Sequence, residues 1–268
     1  MRDASHTAAG IEGDRALVLG CAIDRCDMAQ TVARCEAAIE RGRFVQQVSI
    51  NAAKLVAMRE DPELRAAIER CELVNADGQS VVWASRLLGD PLPERVAGID
   101  LMHELLALAA RRGYGVYILG ARDEVLETAV ERLRAQFPGL RIAGYRNGYF
   151  DEGESAAIAA EIGASGAEIL FVAISSPRKE RWLGEHGRTL GVHFAMGVGG
   201  SIDVVAGVTR RAPRIWQRLG LEWLYRLLQE PRRMLHRYLV SNLRFLAMVA
   251  AAFGRRLLGR PEAGTGSQ

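Results

Sequence analysis

Asp77 stands in the stretch NADGQSVVWASRLLGD, Asn75 to Asp90, where the apolar pair Leu73 and Val74 runs into an acid and a glycine. Val81, Val82, Ala84, Ser85, Leu87 and Leu88 then recur at helical spacing, so Asp77 falls at a strand-to-helix corner. In an open α/β sheet such corners, at the carboxyl ends of strands, are where ligands bind. A carboxylate placed there can accept a substrate proton; it can equally cap the helix that follows. A second chemical stretch is GVGGSID, Gly197 to Asp203, whose glycines would let backbone approach a phosphate at a helix N-terminus or simply turn the chain. It is no dinucleotide fingerprint, because no GxGxxG follows the first strand and no acid stands at the expected distance. Gly120 in ILGARDE is a weaker signal of the same kind. No DxD pair is present, and His6, His103, His186, His193 and His236 are scattered, so a divalent metal and other cofactors are not expected. An anionic leaving group would then need arginines, whose guanidinium pairs bidentately with phosphate oxygens.

The C-terminal quarter supplies them. Thr209 to Arg260 holds twelve arginines, no lysine and two acids, Glu222 and Glu230, whereas residues 1–208 carry an acidic excess. Trp216, Trp223, Tyr225, Tyr238 and Phe245 are interleaved with the arginines. That composition suits helices lying at a membrane surface, aromatic bodies at headgroup level and Arg facing anionic lipid. A solvated basic face on core helices is the plainer reading. Abundant Leu and the absence of Lys argue against a nucleic-acid partner. The apolar run Phe245 to Phe253 is far shorter than the roughly 20 residues a spanning helix needs.

These groups must be positioned by a sizeable fold. The 268 residues are 49% hydrophobic and 25% charged, as in an ordinary globular chain. Cys21, Cys26, Cys35 and Cys71 form neither a CxxC pair nor a disulfide framework, which points to reduced thiols. The polar first 15 residues read as a disordered arm without a signal peptide. Strands are expected at Ala16–Ile23, Phe44–Ile50, Leu73–Val74, Gly115–Gly120, Leu140–Tyr145, Ile169–Ile174 and from Val192, with amphipathic helices between them. That alternation predicts a Rossmann-like α/β core with a largely parallel sheet over 16–208. Helices at Pro213–Gln229 and Pro231–Phe253 would form an appendage over 209–260, and 261–268 a disordered tail.

Taken together, NADGQSVVWASRLLG, PLPERVAGIDLM, GARDEVLETAV, RNGYF, SSPRKERW, GVGGSIDVVAG and RRAPRIWQRLGLEWLYRLLQEPRRMLHRY resemble the WecG/TagA/CpsF glycosyltransferases, glycosyltransferase family 26, in unbroken order over about residues 17–240. The resemblance implies an inverting, metal-independent transferase peripheral on the inner face of the cytoplasmic membrane. It would move a sugar from a UDP-sugar donor to a polyprenyl-diphosphate-linked saccharide acceptor during cell-surface polysaccharide synthesis. Donors of the N-acetylmannosamine, uronic acid and glucose types occur in the family, and a homo-oligomer is compatible with it. Asp77 matches the proposed catalytic base. Arg226 and Arg233 match groups on the diphosphate, Arg95 one near the acceptor, and Asn51, Tyr149 and Asp203 the pocket lining.

Each of these has a plainer reading: helix caps for Asn51 and Asp203, ordinary packing for Tyr149, and a surface ion pair for Arg95. Ser49 and Ile50 stand where relatives often carry Thr and Pro, Ala173 to Ser175 where they carry a Gly-rich strand end, and Lys179 where Gln is common. Ser49 and Lys179 therefore join the candidate substrate-binding residues, and the changes bear on donor choice. Two other classes stay open: a non-catalytic, membrane-docked binding module, and an NAD-dependent oxidoreductase. Indifference to Asp77→Asn would mark the first, bound nicotinamide the second.

Overall fold

A computed structural model describes residues 13–229 and 231–258, apart from the side chains of 232–238. The strands are β1 (Arg15–Val18), β2 (Cys21–Asp24), β3 (Val45–Ile50), β4 (Leu73–Ala76), β5 (Gly115–Gly120), β6 (Arg141–Arg146), β7 (Ile169–Ala173) and β8 (Phe194–Gly197). Helices α1 (Met28–Glu40), α2 (Ala52–Glu60), α3 (Pro62–Glu69), α4 (Gln79–Leu87), α5 (Gly98–Arg112), α6 (Asp123–Gln136), α7 (Ser155–Ala164), α8 (Arg178–His186) and α9 (Ser201–Val205) connect them. Three more follow: α10 (Arg214–Arg218), α11 (Glu222–Gln229) and α12 (Pro231–Leu257).

Six strands form one parallel sheet in the order β4-β3-β8-β7-β5-β6. The expected α/β architecture is therefore present. Because every strand of this sheet runs the same way, all its carboxyl ends share one edge, where ligand sites of such sheets lie. One face of the sheet packs Leu105, Val116, Leu133, Phe171 and Phe194 with α1, α5 and α6; the other packs Ile158, Leu170, Trp182 and Leu183 with α7 and α8.

Two local expectations are corrected. Ala16–Ile23 is not one strand but the antiparallel hairpin β1–β2, turned by Leu19 (φ 53°) and Gly20 (φ 81°). Its buried Asp24 accepts from Val74 N (2.8 Å) and Arg34 Nη1 (2.9 Å), fastening the hairpin to β4. The first tail helix is broken in two at Gly220, whose φ of 67° suits glycine and ends the α10 segment. The second tail helix, α12, runs as one piece. Its Phe245, Met248 and Val249 are buried with α2 and α4 residues such as Leu55 and Val82, so the far end of the tail is part of a core.

Candidate active site

The register pairs Ile50 with Ala76, so the chain leaves β3 and β4 side by side and sets Asn51 next to Asp77. The Asp77 and Gly78 N–H groups both donate to Ile50 O, at 2.8 and 3.3 Å. A Cβ on Gly78 would stand 3.3 Å from Asn51 Cα, which explains the glycine after the acid. Asp77 does not cap α4; Gly78 holds that position without a side-chain bond. Instead Asp77 Oδ1 accepts the Gly98 N–H at 3.1 Å, the first residue of α5. The carboxylate thus faces the positive end of a fifteen-residue helix.

Burial pushes the Asp77 carboxyl above its ordinary range; the Gly98 bond and Arg95 pull down, Glu222 pushes up and Arg226 pulls down. The net upward direction makes it a stronger base than a solvated aspartate. Asp77 is half-buried and so remains reachable.

Ser49 Oγ lies 3.1 Å from where a Cβ of Gly98 would be, which places the hydroxyl beside the same backbone donor. It also accepts from Gln47 Nε2 (3.2 Å). Gln47 Nε2 reaches Asn75 Oδ1 at 3.0 Å, and Asn75 Nδ2 reaches Thr31 Oγ1 at 3.0 Å, a buried polar chain beneath the corner. Asn51 is the N-cap of α2, accepting from Lys54 N at 3.0 Å, so its capping role is real and directs the side chain.

The opposite wall comes from the tail. Arg95 Nη1 meets Glu222 Oε2 at 2.6 Å, and both oxygens of Asp100 meet Arg211 at 2.7 Å. Arg211 Nε also stands 3.7 Å from Glu222 Oε1. Four alternating charges therefore join the loop and helix after Asp77 to α11. Arg95 is an ion pair, yet a largely buried one that bridges core and appendage rather than a surface pair. Arg226 lies on α11 close enough for its charge to be felt at Asp77. The Arg233 side chain lies outside the described residues.

Further along the sheet edge, Tyr149 is 70% exposed, which excludes the packing role. Arg122 donates to its hydroxyl and also senses Asp203. Arg122, Asp123, Asn147 and Tyr149 line an open cleft there. Asp203 sits within α9, whose N-cap position is Gly200, so it does not cap that helix. Lys179 runs across the glycine turn: a Cβ on Gly197 would fall 2.6 Å from its Cε. Its ammonium is 3.9 Å from Glu180 Oε1, while Lys54 Nζ pairs with the same oxygen at 2.9 Å.

Sequence reasoning missed Gly98, Glu222, Arg122, Lys54 and Glu180. Only Glu222 left a trace, as one of two acids in a basic tail. Among the described residues no group of three or more His, Cys, Asp or Glu could hold a metal ion, and no helix is long and apolar enough to cross a membrane.

The combination of a base-like aspartate, bridging arginines and an open polar cleft on one sheet edge fits transfer from an anionic donor. The family model described as the glycosyl transferase WecG/TagA/CpsF family matches residues 16–258. The chain belongs to this family. It is a glycosyltransferase of cell-surface polysaccharide synthesis, acting between a nucleotide-sugar donor and a saccharide acceptor. The match runs into α12, in keeping with the burial of Phe245 and Val249 in a core.

In this glycosyltransferase the clasp has a testable electrostatic consequence. Glu222→Gln keeps an acceptor for Arg95 but removes the negative charge that pushes Asp77 up. The acid limb of the pH profile for kcat/KM is expected to move to lower pH, toward that of an ordinary aspartate. Glu222→Asp should restore it. A limb that stays put in Glu222→Gln would show that the clasp does not tune Asp77.

Proposed function

We propose that this chain is an inverting, metal-independent transferase that moves a sugar from a UDP-sugar onto a polyprenyl-diphosphate-linked saccharide. The observation that carries the reading is the Asp77 carboxylate. It stands at the carboxyl edge of the sheet, held by the Gly98 N–H and faced by Arg95 and Arg226. In a single displacement the acceptor hydroxyl attacks the anomeric carbon and Asp77 takes its proton, while the bond from that carbon to the donor diphosphate breaks on the opposite face. One carboxylate suffices for that step. The departing diphosphate carries away the bonding pair, and Arg226, Arg233 and Lys179 are the cations assigned to it. Arg95 orients the acceptor. Tyr149 and Asp203, linked through Arg122, would receive the nucleoside, with Asn51 and Ser49 on the sugar. The C-terminal helices bring the site to the inner face of the cytoplasmic membrane.

The test is a mass-spectrometric transfer assay, with chelator present, of a UDP-sugar panel against polyprenyl-diphosphate monosaccharides. One pair is expected to yield a product heavier by one sugar, its new linkage opposite in anomeric configuration to the donor. Retained configuration, or activity lost to chelator, would overturn the mechanism.

A further inference from the structure

Among the described residues, the face of α4 that points away from the core is largely uncovered. Trp83 and Leu87, one turn apart, are 52% and 48% exposed. At one end α10 abuts it: a Cβ on Gly220 would lie 3.3 Å from the Trp83 ring, and the neighbouring Leu219 and Ile215 are also exposed. At the other end the Arg256 guanidinium, from the end of α12, lies over Gly89. Two elements distant in sequence thus contribute to one apolar surface, and α12 adds a cation at its edge. Such clusters on a protein surface mark contact with a partner.

Its rim says which partner. Neither α4 nor α10 contains an acid, and none occurs from Phe245 to Leu258. Arg86, Arg214, Arg218 and Arg256 form no ion pair among the described residues, whereas Arg25, Arg95 and Arg211 are all paired with carboxylates. A second copy of the chain would oppose two positive rims across the contact. Anionic headgroups would meet the arginines while Trp and Leu enter the acyl boundary.

We propose that α4, α10 and the end of α12 form a foot that seats this protein on an anionic lipid surface, with the core helix α4 as its centre. The appendage alone is then not the membrane contact. Because α4 begins two residues after Asp77, the foot also fixes how far the corner stands from the lipid. The seating of the site at a membrane and the entry of a lipid-linked acceptor there rest on the proposed function; α4 as the contact does not.

The experiment is co-sedimentation of the full chain with vesicles of phosphatidylcholine alone or with phosphatidylglycerol added. Wild type is expected on the anionic vesicles only. Trp83→Gln with Leu87→Gln, both at exposed positions, should weaken that binding by about tenfold or more. Its circular dichroism and its transfer to a short-chain, water-soluble acceptor should stay unchanged. Arg86→Gln with Arg218→Gln should weaken binding and flatten its salt dependence. Three results would overturn the foot: wild-type binding by the Trp83 and Leu87 variant, equal binding to neutral vesicles, or a wild-type dimer that this variant converts to monomer. Vesicle binding as expected, with no transfer to any acceptor, would remove the reaction and leave the foot standing.

Discussion

Asp77→Asn is expected to lower kcat for sugar transfer by about 10²- to 10⁴-fold, the usual contribution of a positioned base. The donor KM should change little, because the substitution leaves every arginine in place. The asparagine carbonyl oxygen can still accept the Gly98 N–H, so the start of α5 keeps its partner. Stability should move the other way. The folded-state pKa of Asp77 is raised, chiefly by burial, so the native state binds this proton more tightly than the unfolded chain does. Stability from this group therefore falls as pH rises from the ordinary aspartate value of about 3.9 through the raised one. At neutral pH the ionised carboxylate costs the fold something that asparagine does not. Urea unfolding at pH 7 should accordingly give Asp77→Asn a midpoint equal to or above that of wild type. In wild type, kcat/KM should decline at low pH with an apparent pKa above the ordinary aspartate range. Residual activity of the variant should lack that limb. Transfer at the wild-type rate would remove Asp77 from the chemistry.

Much of this site is legible in the sequence because a parallel sheet forces the issue. Once Leu73–Val74 is a strand and Val81 to Leu88 a helix, Asp77 has to lie at a carboxyl end. The same holds for Asn51 after β3, and for the glycine turn after β8. The β1–β2 hairpin is not legible, since Leu19 at positive φ sits inside an unbroken apolar run and Gly20 alone does not announce a turn. Gly98 is silent for another reason: what it contributes is a backbone N–H, which every residue but proline possesses. Glu222 is readable only as an exception to a basic tail, and Glu180 not at all. Their partners, Arg95 and Lys54, are 127 and 126 positions away, and only the folded chain brings them together. Sequence periodicity reports which face of an element is buried. It carries nothing about which buried charge meets which.

Glu180→Gln is expected to cost about 3–5 kcal/mol of stability, the range for breaking a buried ion pair by removing one partner. Glu180 is 2% exposed, and the Lys54 side chain that pairs with it is 11% exposed, so neither charge can be rescued by water. Burial by itself pushes the Glu180 carboxyl up; Lys54, then Lys179, then hydrogen bonds from Lys54 and Ser176 outweigh it and hold it below the ordinary glutamate range. With the folded-state pKa depressed, this stabilisation is present above the unfolded value, about 4.3, and is lost as pH falls through the lower folded one. The acid-unfolding curve of wild type should contain that loss, and that of Glu180→Gln should not. Lys54 lies in the first turn of α2, capped by Asn51, and Glu180 in the first turn of α8 beside Lys179. The pair therefore joins the two helices that carry candidate sugar and diphosphate contacts. Replacing both charges, Lys54→Met with Glu180→Leu, should recover most of the stability, because a buried pair exchanged for apolar groups of similar volume is often neutral. It should not recover full transfer, since Lys179 would lose the carboxylate 3.9 Å away that helps set its ammonium over the glycine turn. Measured unfolding free energies and transfer rates of the two single variants and the double would separate these roles. Full recovery of both in the double variant would make the pair a structural brace alone.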